Sequence, residues 1–418
     1  MSKHTKWIVR RAAVLTVLLC SAAGTGAGNA MAPAADPAAF VDPTAELPKP
    51  GELELSSRVY VAPFARLTAG AGHRIRIGDR ANVQDNAVLD ARHGDIVLGE
   101  RAIVAHGAQI RSAQPAHIAA ESQRPEYSNP GIGEFESFMA AHPGQLSWGA
   151  VPAFIGFNAV VDGAVITDGS MVMHLAKVSP GITLKSGLKV KEGKWLRTQE
   201  EADDPALGKV EYIQTGDIEF MIDVVEVNKE LAAGYSQLAR ENASFVRGIN
   251  YNPGKIPGNE HRTLPAVGGV RTQQPDTGTY RYRIIGNVQI ADLTGIRDGV
   301  SLRADEGPLI RIGAQARFLG SNTFHALKST HISAGNRVVL EPGALVHGGK
   351  DKQLKGETWT EIGDGSVIGA GSVVFRSRLG KGVRVGAGSL VMDSVIPDGA
   401  VIPDGEIWIG GRRKYSAE

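Results

Sequence analysis

Aliphatic residues recur along this chain every six positions, which matches neither the alternation of an ordinary strand nor the 3.6-residue period of a helix. Ile77, Val83 and Leu89 are spaced in this way, and so are Leu98, Val104 and Ile110. Ile155 and Val161 follow after an intervening stretch. A shorter step then leads to Ile166, Val172, Val178, Leu184 and Val190. The second half repeats the pattern with Ile312, Phe318 and Phe324, then Ala334, Leu340 and Val346, then Ile362, Ile368 and Val374. Leu379, Val385, Val391, Ile396 and Ile402 complete it, and the shorter step falls at the same place. This period suits a short flat strand plus a corner, three to a turn, so that roughly 18 residues make one triangular coil. The aliphatic residue points into the prism, Gly and Asn suit corners with positive φ, and stacked coils lie about 4.8 Å apart.

Such coils make a left-handed parallel β-helix of hexapeptide repeats. The fold class expected is mainly β, with two of these prisms and a helix after the first. The first prism with its helix is placed at 51–245 and the second at 281–418. Residues 219–242 have helical spacing, with Val224, Val227, Leu231 and Leu238 near one face, and are expected to close the first prism. Residues 246–280, rich in Gly and Pro, read as a linker. Residues 112–153 read as an insertion with a short helix at 134–141. The start reads as an export signal over 1–32, followed by a loose leader over 33–50. Lys3, Lys6, Arg10 and Arg11 precede an apolar run that is too short to span a bilayer, and Ala30-Met31-Ala32 is a cleavage-like site. The expected location is periplasmic or secreted, with no membrane span.

Composition narrows the chemistry. Glycine supplies 52 of 418 residues, in keeping with many tight corners. Lys+Arg 45 against Asp+Glu 44 argues against a nucleic-acid partner. Cys20 is the only cysteine and falls in the signal, so the mature chain has no disulfide, thiolate nucleophile or Cys–metal site. No phosphate-binding G-x-x-x-x-G-K-[ST] occurs.

Histidine is then the ligand to examine. His325 follows Phe324 and His347 follows Val346, so both lie on one prism face, one coil apart. Imidazoles at about that 4.8 Å spacing can share a metal. A catalytic zinc usually takes three protein ligands. His106 sits two residues after Val104 and faces another side, so it can complete such a site only from a neighbouring prism. His93, His117, His142, His261 and His331 read as loop or surface residues. His174 shares the phase of His106 and reads as surface stacking.

The stretches SLRADEGPLIRIG (301–313), FHALK (324–328), LVHGG (345–349), GDRANVQDN (78–86), VAHG (104–107) and VVEVNKELAAGY (224–235) resemble the γ-class carbonic anhydrases. The resemblance covers both prisms and the helix. It implies a trimer of β-helices with a metal, Zn2+ or Fe2+, between neighbouring prisms, and a metal-bound hydroxide that attacks CO2. The second half matches the network residues Arg303 and Asp305, the acidic Glu306, and the ligands His325 and His347. It departs at the cross-subunit ligand, which is Pro342, and at the Gln-Asp pair, which is Leu319-Gly320, and it has no terminal helix. The first half matches Gln84, Asp85, His106 and, on the helix, Asn228. It departs at Thr68, Gly70, Asp90 and Arg111. Each half keeps what the other has lost. The expectation is therefore one composite site, with His325 and His347 from the second prism, His106 from the first, and Arg303 paired across the junction with Asp85.

The resemblance further implies that Gln84 orients the hydroxide, that Asn228 holds CO2 or bicarbonate, and that Glu306 handles protons; Lys328 stands where some members carry a shuttle Glu. The activity expected is that of an exported carbonic anhydrase, a lyase catalysing reversible CO2 hydration, as a homo-oligomer or an intrachain pseudo-oligomer. Two other classes share the fold. One is a degenerate scaffold without catalysis. The other is a hexapeptide acyltransferase, whose usual signature lacks the R-x-D-E-G block and whose acetyl-CoA is cytoplasmic.

Overall fold

The computed structural model describes residues 39–120, 151–251, 253–256, 259–265, 271–272, 281–305, 309–327, 330–349 and 358–418. The expected export signal, the helix at 134–141, Glu306 and Lys328 lie outside the described residues. The chain forms two left-handed prisms, each walled by three sheets that are parallel apart from antiparallel strands at some edges. In the first prism the chain runs through sheets C, A and B in turn, for example along Ile75–Ile77, Asn82–Val83 and Val88–Ala91. In the second it runs through sheets E, F and D, for example along Leu309–Ile312, Arg317–Phe318 and Thr323–His325. Sheet A also takes Ile103–Val104, and sheet D takes Leu345–His347.

The six-residue period is the register of these sheets. Val61, Val83, Val104, Ile155, Val172 and Val190 align in sheet A. Leu67, Leu89, Ile110, Val161, Val178 and Leu196 align in sheet B. In the second prism Leu302, Phe324, Val346, Val374, Val391 and Trp408 align in sheet D. The two prism cores are built from these aliphatic and aromatic residues. Burying one apolar side chain per wall per coil is worth about 1.5–3 kcal/mol each and repeats along the whole stack.

Four boundaries differ from the sequence reading. The coil begins inside the supposed leader, where Phe40–Val41 pairs with Tyr60–Val61 and Phe40 stacks against Tyr235 at 5.2 Å. The supposed insertion starts later, because Ala116–Ala120 is a strand of sheet C and Ile118 is a further inward residue of the repeat. Within the supposed linker, Ile249–Tyr251 pairs with Tyr282–Gly286, and Pro253–Ile256 pairs with Asn259–Pro265. The long helix, α2 (Thr215–Glu241), begins earlier than expected and follows a short α1 (Gln199–Asp203). The Gln214 N–H donates to the Asp217 carboxylate at 2.7 Å and fixes that start.

α2 does not close the end of the first prism. It lies along sheet A, against Phe40–Val41, Tyr60–Val61 and Ile103–Val104. Its buried stripe is Ile218, Met221, Val225, Asn228, Leu231, Tyr235 and Leu238, while Val224 and Val227 flank it half-buried. The 100° step per residue brings these positions onto one side.

Sheet A of the first prism packs on sheet D of the second through an apolar seam. Ile103, Phe154, Phe157 and Met171 meet Leu345, Val373, Phe375 and Met392. Two corner asparagines with φ of 59° and 53° cross the seam. Asn86 Nδ2 donates to the Gly299 carbonyl at 3.1 Å and to Thr323 Oγ1 at 3.0 Å. Asn158 Nδ2 donates to the carbonyls of Gly343 and Gly371 at 3.1 and 2.9 Å. Gly107 occupies the corner between them at φ 69°, and a Cβ there would lie 1.9 Å from Asn158 Oδ1. Gly107→Ala is therefore expected to lower unfolding stability in urea by about 2 kcal/mol, from the left-handed backbone and the displaced asparagine together. An unchanged urea midpoint would refute this role of the corner.

Candidate metal centre

Coil stacking sets two ladders against each other across the seam. Two positions beyond each inward residue of sheet A stand Asp85, His106, Phe157 and His174, one per coil. One position beyond each inward residue of sheet D stand Arg303, His325, His347 and Phe375, paired in register. The junction is thus charged at one end, imidazole-lined in the middle and aromatic at the other end.

His106, His325 and His347 converge, with one ligand atom of each lying within 4.8 Å of the others. All three are buried. Their ring centroids are 5.0 Å apart for His325 and His347, 5.0 Å for His106 and His325, and 5.2 Å for His106 and His347. His106 Nε2 lies 3.1 Å from His325 Nδ1. Two nitrogens at 2.0–2.1 Å from one tetrahedral zinc would stand about 3.3 Å apart, so the donor set fits such an ion.

Two of the imidazoles, His106 and His347, have their other nitrogen within hydrogen-bond distance of an oxygen, and the third, His325, faces a carboxylate at longer range. His106 Nδ1 is 2.9 Å from Asp85 Oδ2. His325 Nε2 is 3.6 Å from Asp305 Oδ1. His347 Nδ1 lies 2.6 Å from the Gly348 carbonyl oxygen. Such outer partners fix tautomer and ring orientation in metal sites.

The two carboxylates share one cation. Arg303 Nη2 is 3.0 Å from Asp85 Oδ2 across the seam, and Nη1 is 3.0 Å from Asp305 Oδ2. Ser301 Oγ donates to Asp85 at 2.6 Å, Tyr235 Oη donates to Asp305 at 2.6 Å, and Arg303 Nη1 donates to Tyr60 Oη at 3.0 Å. Burial alone would raise both carboxyls, but Arg303 and the neighbouring imidazoles hold them well below the usual range. Burial pushes His106 down to about 4 against the pull of Asp85, and it pushes His347 well down too. These two imidazoles are therefore neutral donors at pH 7, the form that binds metal.

The remaining expected residues are less centrally engaged. Gln84 is buried, and its amide nitrogen donates to Asn82 Oδ1 at 3.1 Å. Asn228 is buried on α2, and its amide nitrogen donates to the Val224 carbonyl at 2.8 Å. Two histidines contradict the surface reading. His174 is buried in the seam, flat against Phe157, because sheet D covers the face it points from. His331 is buried on a strand and stacked on Trp359 at 4.2 Å. The sequence reading assigns no role to Tyr60, Tyr235 or Ser301; Ser301 and Tyr235 do lie in two of the stretches that carry the resemblance, 301–313 and 224–235, which is the available signal. Phe157 and His174 do carry a signal, the offset that they share with Asp85 and His106.

No family model matches the chain. It is 30% identical over 209 residues to a carbonic anhydrase of Methanosarcina thermophila, covering 49% of this chain and 76% of that protein. The chain belongs to the γ-class carbonic anhydrase family. This family member is also 31% identical over 208 residues to the carboxysome assembly protein CcmM of a Nostoc species, covering 47% of this chain and 30% of that protein. Among solved structures, a hexapeptide transferase family protein from Anaplasma phagocytophilum has 18% identity and a TM-score of 0.18, covering 47% of this chain and 91% of that one. A likeness at that score carries no weight on function.

Two outcomes follow from the buried network. Arg303→Met leaves two buried carboxylates without their cation and is expected to cost about 3–5 kcal/mol in urea unfolding; a loss below about 1 kcal/mol would contradict the network. In the unfolded chain His106 takes up its proton near pH 6.5, whereas in the folded chain it does so only near 4. The unfolded state then binds more protons between those values, so the metal-free protein loses stability as pH falls from about 6.5 to about 4. The depressed Asp85 and Asp305 extend the loss below about pH 4. Urea midpoints of apoprotein measured at about pH 7.5 and about pH 5 should differ, with the lower value in acid.

Proposed function

We propose that this chain is an exported carbonic anhydrase that hydrates CO2 reversibly at one composite site per chain. The observation that carries the reading is the three-histidine cluster, because it takes donors from both prisms and neither prism alone supplies all three. His106, His325 and His347 would hold Zn2+ or Fe2+, ions that suit imidazole ligands. When bound, such an ion would lower the pKa of water towards neutrality and so would supply hydroxide chemistry at pH 7.

The protein's own residues position the reaction. Asp85 and the Gly348 carbonyl hold His106 and His347 with the opposite ring nitrogen towards the centre, and the Asp305 carboxylate faces His325. Arg303 keeps both carboxylates ionised and fixed to each other. Gln84, with its amide nitrogen committed to Asn82, offers Oε1 as an acceptor for a water proton. Asn228 retains a second amide hydrogen for CO2 or bicarbonate. Phe157 and Phe375 wall the site on its apolar side, at 4.7 and 5.4 Å from the His347 ring. They exclude bulk water and suit an uncharged substrate. Glu306 is assigned proton handling on its place in the sequence motif. The basic start over 1–32 supports a periplasmic or secreted location. No helix among the described residues is long and apolar enough to cross a membrane.

One site per chain follows from which faces meet. Thr68, Asp90 and Arg111 on sheet B, and Leu319, Gly320 and Pro342 beside sheet F, offer no imidazole. Protein purified anaerobically is expected to hold about one Zn or Fe per chain and to hydrate CO2 in stopped flow. His106→Ala should lose both metal and activity. A variant that retains both would end the composite-site reading. The likeness to an assembly protein favours a non-catalytic scaffold as the second reading; absence of metal and of activity after reconstitution would select it.

A further inference from the structure

His174 is a buried titratable group that neither the metal set nor the carboxylate network uses. It occupies the same ladder as Asp85, His106 and Phe157. Its ring lies on Phe157 at 4.4 Å with an interplanar angle of 6°. The ring edge of Phe375 meets it at 5.7 Å. His174 Nδ1 accepts the Phe157 backbone N–H at 3.1 Å. The corner N–H of Phe157 is thereby bonded to a side chain of the next coil, and the phenyl ring is clamped from one face.

The other side of Phe157 faces the metal ligands, with ring centroids 4.7 Å from His347 and 5.6 Å from His106. The next residue is Asn158, the corner asparagine that grips Gly343 and Gly371 of the second prism. We propose that His174 is a positioning residue of the metal centre: by accepting the Phe157 N–H and stacking on its ring, it sets the orientation of His106 and His347 and the reach of Asn158. Burial and the positive Arg376 keep its imidazole neutral, near a pKa of about 3, so Nδ1 stays an acceptor at working pH. The Phe157 ring stands between His174 and the ligands, which makes proton transfer between them the poorer role.

The inference rests on the carbonic anhydrase reading and is tested on metal binding rather than on turnover. Zn2+ affinity is measured by chelator competition, and coordination is read from the visible absorption of Co2+-substituted protein. His174→Phe keeps the ring and removes the acceptor. It is expected to weaken Zn2+ binding about tenfold, as loss of an outer partner does, and to shift the Co2+ bands. His174→Asn, which restores an acceptor at the Nδ1 position, is expected to recover most of the affinity. Leu184→Ala, a cavity in the first prism's core, serves as the control for general destabilisation and should leave affinity and spectrum at wild-type values. His174→Leu carries the same test if the phenyl ring prevents folding.

Wild-type affinity and spectrum in His174→Phe, or an equal change in Leu184→Ala, would overturn the positioning role alone. A wild-type chain that takes up neither Zn2+ nor Co2+ removes the underlying reading, and this inference with it.

Discussion

The Arg303 guanidinium joins the two halves of this molecule at the point where its chemistry is gathered. Arg303 belongs to the second prism, and one of the two carboxylates it holds belongs to the first. A buried ion triad is a costly thing to build, since each charge must leave water. It becomes tolerable only with partners close by, and here Ser301, Tyr60 and Tyr235 each add a hydrogen bond to the triad. The network therefore exists only in the docked arrangement. Asp85 in turn sets His106, and Asp305 faces His325, so the imidazole geometry is tied to the same docking.

The docked faces are unlike. The chain passes through its sheets in the order C, A, B in one prism and E, F, D in the other, so sheet A corresponds to F and sheet B to D. The seam joins A to D, a head-to-tail contact between non-equivalent surfaces. One such contact uses one face of each prism and leaves B and F without a counterpart among the described residues. This accounts for the sorting of residues between the halves. Sheets A and D carry the imidazoles and the ion network, while sheet B carries Thr68, Asp90 and Arg111 and the corners beside sheet F carry Gly320 and Pro342.

Part of the site is legible in residue spacing alone. A fixed coil rise turns sequence spacing into spatial adjacency, so the distances of His325 and His347 from Phe324 and Val346 place the two side by side. The same reasoning shows that His106 can reach them only from another prism. It does not reach His174, which has the phase of His106 yet lies buried rather than at the surface. Periodicity says which way a side chain points, but not what covers the face it points from. Here sheet D and its Phe375 cover it. The direction of α2 escapes the sequence for a related reason. Its apolar stripe shows that one side is buried, while the choice between capping the prism and lying along sheet A depends on Phe40, Tyr60 and Tyr235 stacking together.

By itself the sequence determined the repeat, the hand-off from wall to wall at each corner, and the two complementary sets of donors, because all of these depend on spacing of residues along one coil. The pairing of sheet A with sheet D inside one chain, the burial of His174 and the tilt of each imidazole were decided by tertiary structure. They depend on shape fit across the seam and on charges that are stable only when brought together out of water. No local pattern encodes those conditions, since the partners lie more than two hundred residues apart.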